Sequence, residues 1–125
     1  MANALNWFEI PVADTDRAKA FYSTVLDAEL TTQDMMGEGL MTILPYQNGQ
    51  GVGGALVQSE SLQYTPSQTG SVIYLNGGDD LSVPLSKVES AGGKVLAEKM
   101  SIGENGFIAF FLDTEGNKVG LHSMN

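Results

Sequence analysis

Hydrophobic positions along this 125-residue chain change their period twice, in the same order each time. LNWFEIPV (5–12) alternates and is rich in aromatic and β-branched residues, which predicts a strand. From Asp14 the period lengthens: Ala18, Phe21, Tyr22, Val25 and Leu26 fall at i, i+3, i+4, i+7 and i+8. That spacing predicts an amphipathic helix, with Asp14 as N-cap because a short carboxylate accepts from the free N–H groups of the first turn. Strand-like runs follow at roughly 28–33, 39–45 and 52–57. SVIYLN (71–76) then opens the series again, and Asp79 and Asp80 precede Leu81, Leu85 and Val88 at helical spacing. Pro84 falls early enough to be tolerated near a first turn, and Gly92-Gly93 ends this second helix. Three more runs follow, at roughly 94–98, 107–112 and 117–123. Asn48-Gly49 and Gly116-Asn117 are the clearest turn signals, and the second predicts a hairpin. QSESLQYTPSQTG (58–70) is polar and aperiodic and reads as a linker or crossover.

The pattern is βαβββ twice, and neither half has enough elements to close a core alone. An α+β domain is expected over 1–125, with module one at about 1–58, a linker at about 58–70 and module two at about 71–125. Composition adds exclusions. Absence of Cys removes disulfides, thiolate metal sites and a Cys nucleophile, and a single His removes two-His metal sites within one chain. Fifteen acidic against six basic residues give a net charge of −9, which works against a nucleic-acid partner. No apolar run reaches the length of a membrane-spanning helix, and MANALNWFEIPV lacks the basic start and apolar stretch of a secretory signal. A cytoplasmic location is therefore the expectation.

FEIPVADTDRAKAFYSTVLDAEL (8–30), VESAGGKVL (88–96) and FFLDTEGNKVGLH (110–122) resemble the vicinal oxygen chelate superfamily of glyoxalase I, bleomycin-resistance proteins and extradiol dioxygenases. The resemblance implies two paired βαβββ modules forming a curled mixed sheet around a concave cavity, often with a homodimer or an exchange of modules between chains. It also marks Phe21, Tyr22, Asp113, Gly116 and Asn117 as signatures of the fold. In metal-dependent members one strand position in each of four strands supplies His, Gln or Glu to a divalent ion. Counting from Asp14 sets the first of these on Trp7, and VGGALV sets the second on Gly54, with Gly53 and Ala55 as neighbouring registers. The third falls on Val72 or Ile73 and the fourth on Gly120. None of these is a usual metal ligand, so no cofactor is implied, and a divalent ion would need a site of its own.

Period-2 logic assigns the cavity face to Trp7, Glu9, Val72, Tyr74, Lys118, Gly120 and His122. An aromatic face with a few polar groups suits a small organic ligand better than a metal cage, and the acidic balance would favour a cationic one. The leading expectation is a metal-free binder of such a ligand. The alternative is a divergent lyase, isomerase or dioxygenase in which Glu9 acts as base, or Glu9 and His122 form an acid/base pair or hold a displaced metal. A third reading is an assembly module with a filled cavity. MMGEGLM (35–41), with two Gly and three Met, is a candidate flap over the ligand or a hairpin with Met as filler.

Overall fold

The computed structural model describes residues 3–47 and 50–125, so the Asn48-Gly49 turn lies outside the described residues. Strand β1 (Trp7–Pro11) leads into helix α1 (Thr15–Leu26), then β2 (Thr31–Asp34), β3 (Leu40–Ile43) and β4 (Gly53–Gln58). The second series is β5 (Ile73–Asn76), α2 (Ser82–Leu85), β6 (Lys94–Ser101), β7 (Phe107–Leu112) and β8 (Lys118–Ser123). Each series makes a four-stranded mixed sheet, in the orders β1-β4-β3-β2 and β5-β8-β7-β6. The first strand of each pairs parallel with the fourth, because the helix carries the chain across the sheet before it returns.

Helix α1 begins and ends as its residues dictate. The Asp14 side chain accepts from the Arg17 N–H at 3.1 Å, and Asp27 closes the helix in the left-handed region at φ 51°. Its buried face carries Thr15, Ala18, Phe21, Tyr22 and Val25. The second helix is shorter than the spacing of Leu81, Leu85 and Val88 predicts. Only Ser82–Leu85 is α-helical, and a run of turns continues to Gly92. The Ser86 and Ser90 hydroxyls donate back to the Val83 and Lys87 carbonyls, and beyond Ser86 the backbone tightens to bonds such as Lys87 N–H to Pro84 C=O. Leu81, Leu85 and Val88 are buried all the same.

One core serves both sheets. Ile10 and Leu56 from the first sheet, Phe21, Tyr22 and Val25 from α1, and Ala109, Phe111, Val119 and Leu121 from the second all belong to one buried cluster. Phe21 and Tyr22 pack on Phe111 with ring centroids 5.7 and 6.5 Å apart. The β7–β8 hairpin at Gly116-Asn117 then clamps the modules together. Glu115 at its tip accepts from the Ala13 and Asp14 amides at 2.8 Å each and pairs with Arg17 at 2.7 Å. Partial burial pushes the Glu115 carboxyl up, but the bonds from Arg17, Thr114 and the two amides outweigh it and hold it at about 2.

A carboxyl lower in the folded than in the unfolded state contributes stability that is complete above its ordinary value of 4.5 and lost as pH falls towards 2. Glu115→Gln is therefore expected to cost about 2 kcal/mol at neutral pH. Urea denaturation at a series of pH values checks this, and the gap between the two proteins should narrow as acid protonates Glu115 of the unsubstituted chain.

Candidate functional site

Strand pairing defines the faces turned away from this core. On the first sheet Trp7 pairs with Gly53 and Glu9 with Ala55, so these four share the outer face while Ile10 and Leu56 look inward. On the second, Tyr74 pairs with Gly120 and Asn76 with His122, opposite in sense to buried Leu75 and Leu121. Lys118, Gly120 and His122 thus lie on one face, as period 2 predicts. Val72 lies just before β5 and is 39% exposed. Gly54 belongs to the other side of its sheet, where the Phe8 ring covers it: a Cβ there would meet that ring at 2.4 Å.

By pairing, the equivalent positions of the two modules are Trp7 with Gly53 and Tyr74 with Gly120. Each glycine lies beneath its aromatic partner. A Cβ on Gly53 would meet the Trp7 ring at 3.0 Å and Tyr46 at 3.2 Å, and one on Gly120 would meet the Tyr74 ring at 2.8 Å. Tyr74 also packs edge-on against Phe110 at 5.6 Å, and the Lys118 ammonium lies 4.6 Å from the Phe110 centroid. Trp7 and Tyr74 remain 41% and 47% exposed, so each ring offers its free side to solvent.

This set does not fit the divalent ion that the sequence resemblance raised. Indole has only an N–H donor, two of the four positions have no side chain, and a single phenol remains. Among the described residues no three His, Asp or Glu side chains gather elsewhere as a metal cluster.

Glu9 and His122 are each engaged separately. Glu9 accepts from the Tyr64 phenol and from the Trp7 indole N–H, the latter at 3.2 Å. The hydrogen bond to Glu9, and then burial and the Glu9 charge, hold the Tyr64 phenol above its ordinary value. The His122 Nε2 lies 2.6 Å from the Asn105 carbonyl. Glu9 lines a pocket of about 230 Å³, and His122 a different one of about 720 Å³ shared with Tyr74, Ile108 and Met124. A cleft of about 700 Å³, largely apolar, runs between Phe8, Leu26 and Leu44 of the first module and Val72, Tyr74 and Asn76 of the second. Tyr74 therefore stands at the rim of two cavities. Tyr64 is the residue that sequence reasoning missed; its one signal is that it is the single aromatic in a polar linker.

Of the 35–41 segment, 35–39 is the hairpin turn between β2 and β3, and Leu40 and Met41 open β3. Asp34 holds the Gly37 amide at 2.9 Å and Glu38 accepts from Ser61 at 2.8 Å, while Met36 is 97% exposed and fills no core.

Two sheets of βαβββ order, built on one shared helical core with open outer faces, define the class of paired-module proteins. The chain matches the model of the Glyoxalase/Bleomycin resistance protein/Dioxygenase superfamily over residues 4–121 and belongs to that family. Among solved structures it is similar to a glyoxalase/bleomycin resistance protein from Albidiferax ferrireducens T118, at TM-score 0.75 and 14% identity, covering 98% of this chain and 100% of that one. It is also similar to TnmS3, an antibiotic binding protein from Streptomyces sp. CB03234, at TM-score 0.69 and 22% identity over 100% and 99% of the two chains. Glyoxalase I from Zea mays matches at TM-score 0.69 and 22% identity, over 95% of this chain and 45% of that one, so this chain spans less than half of its length. No curated protein matches the sequence significantly. No helix among the described residues is long and apolar enough to cross a membrane.

Proposed function

We propose that this protein binds a small organic molecule without a metal and catalyses no reaction through the positions at which metal-dependent relatives hold their ion. The observation that supports this reading is the pair of aromatic rings over glycines, Trp7 on Gly53 and Tyr74 on Gly120. Such rings give a rigid apolar surface for a flat ligand at little entropic cost, and Tyr74 borders a cleft in the size range of ligand sites. The antibiotic-binding relative supports a sequestering role in type. The protein works as a homodimer in this reading, because Tyr46, in the loop after β3, and Leu96 and Met100 on β6 leave large apolar groups in water. A cytoplasmic role is part of the same reading and rests on the absence of Cys.

Trp7 is the sole tryptophan, so its emission reports on the face directly. Titration with a panel of flat aromatic compounds should give saturable quenching for at least one, and Tyr74→Ala should weaken that binding about tenfold or more. Elemental analysis should find no stoichiometric divalent ion, with a melting temperature unchanged by chelator. About one ion per chain, together with a melt lowered by chelator, would overturn the metal-free reading and direct mutagenesis to Glu9 and His122.

A further inference from the structure

The pocket of about 230 Å³ lies where β1 meets the start of β5 and β8, beside the linker. Its lining includes one acidic residue, Glu9, and one basic residue, Lys118, with Thr65 and Ser71 as further polar groups and the partly exposed Pro11 and Ile73 as apolar ones. The two charges do not pair with each other, and among the described residues neither has another ion-pair partner; the pairs present are Arg17 with Glu115 and Lys99 with Asp80. Each is instead held by neutral groups. Tyr64 and Trp7 donate to Glu9, and Phe110 lies under the Lys118 ammonium at 4.6 Å. Opposite charges carried by two unpaired residues that line one small pocket are complementary to a molecule that carries both in the reverse sense.

We infer that this pocket binds a small zwitterion of the amino-acid type, its ammonium on Glu9, its carboxylate on Lys118 and its aliphatic part on Pro11 and Ile73. The volume is below the range of drug-sized ligands, which limits the occupant to about the size of one amino acid. The inference goes beyond the reading of an organic-ligand protein, since neither Trp7 nor Tyr74 lines this pocket, and it names a second site with the charge of its ligand. It also replaces the cationic ligand that net charge alone favours, since a single carboxylate among the pocket residues is matched by a single ammonium.

The test is a ¹H–¹⁵N NMR titration of the whole protein with L-valine, its methyl ester, which keeps only the ammonium, and N-acetylvaline, which keeps only the carboxylate. Valine should shift the amides of Glu9, Ser71 and Lys118 saturably, and each single-charge derivative should bind about tenfold more weakly or worse. Glu9→Gln and Lys118→Met should each bring valine down to the level of the matching derivative, with unchanged melting temperature as the control for folding. The comparison among the three ligands stands even where a variant folds poorly. Equal shifts from valine and its ester, or no shift from any of the three, would overturn the inference. Saturable quenching of Trp7 by an aromatic compound, with no response to valine, would overturn it while leaving the organic-ligand reading intact.

Discussion

Replacing Asp113 by Ala is expected to destabilise the protein by about 4 kcal/mol, a large part of the roughly 5–15 kcal/mol that holds a domain of this size together. Asp113 is only 5% exposed and holds four partners with two oxygens. Its Oδ2 accepts from the Tyr22 phenol at 2.7 Å and from Asn117 Nδ2 at 2.9 Å. Its Oδ1 accepts from the Glu115 and Asn117 amides at 2.8 and 2.9 Å. Burial, and then the Asp113 charge, push the Tyr22 phenol well above its ordinary range, so it stays a donor at any working pH. Removing the carboxylate leaves a fully buried hydroxyl and two amides without acceptors, each at the cost of desolvation. The loss also loosens the hairpin that presents Glu115 to α1, so both modules should unfold together. Urea denaturation followed by circular dichroism and by Trp7 emission should give one coincident transition, shifted to lower urea. Two separate transitions would show that the modules do not share their stability.

The second large effect is expected at Gly93. A Cβ there would meet the Leu112 carbonyl at 2.5 Å and the Phe21 ring at 2.7 Å, and neither can move without shifting β7 or α1. Gly93→Ala should cost about 3 kcal/mol, the scale of an overpacked core. Its neighbour provides the contrast. Gly92 sits at φ +106°, and a Cβ there meets only the Thr114 methyl, at 3.1 Å. Gly92→Ala should cost about 1 kcal/mol, through backbone strain alone. Thermal melts of the two single variants check the order, and a larger loss at Gly92 would contradict this account of the turn.

These two glycines also mark how far the chain could be read in advance. As a pair they signal the end of a helical stretch, and Gly93 N–H does close that stretch on the Val88 carbonyl. The second role of Gly93, making room for Phe21, depends on a residue 72 positions earlier and leaves no local trace. The short α2 was missed for a different reason. Leu81, Leu85 and Val88 do face the core, but between them the Ser86 hydroxyl takes the Val83 carbonyl and the Lys87 N–H turns to Pro84 instead.

The candidate site divides in the same way. Period 2 puts Trp7 with Glu9, and Lys118 with Gly120 and His122, because alternate side chains of a strand share a face whatever packs on it. It does not give the register between strands. Gly53 rather than Gly54 lies under Trp7, and Tyr74 rather than Val72 or Ile73 lies over Gly120, because the parallel pairing of β1 with β4 and β5 with β8 sets the offset.

What the chain determined by itself was each element whose cause lies within a few residues: the Asp14 cap, the Gly116-Asn117 hairpin and the repeated βαβββ order. Tertiary structure alone decided that Glu9 is held by Tyr64, 55 residues away, that Glu115 caps a helix 101 residues earlier, and that Glu9 and His122 line separate pockets. Caps, turns and periodicity are set by short-range sterics and hydrogen bonds. A site is set by which distant surfaces meet, and that follows from burying one core between two sheets.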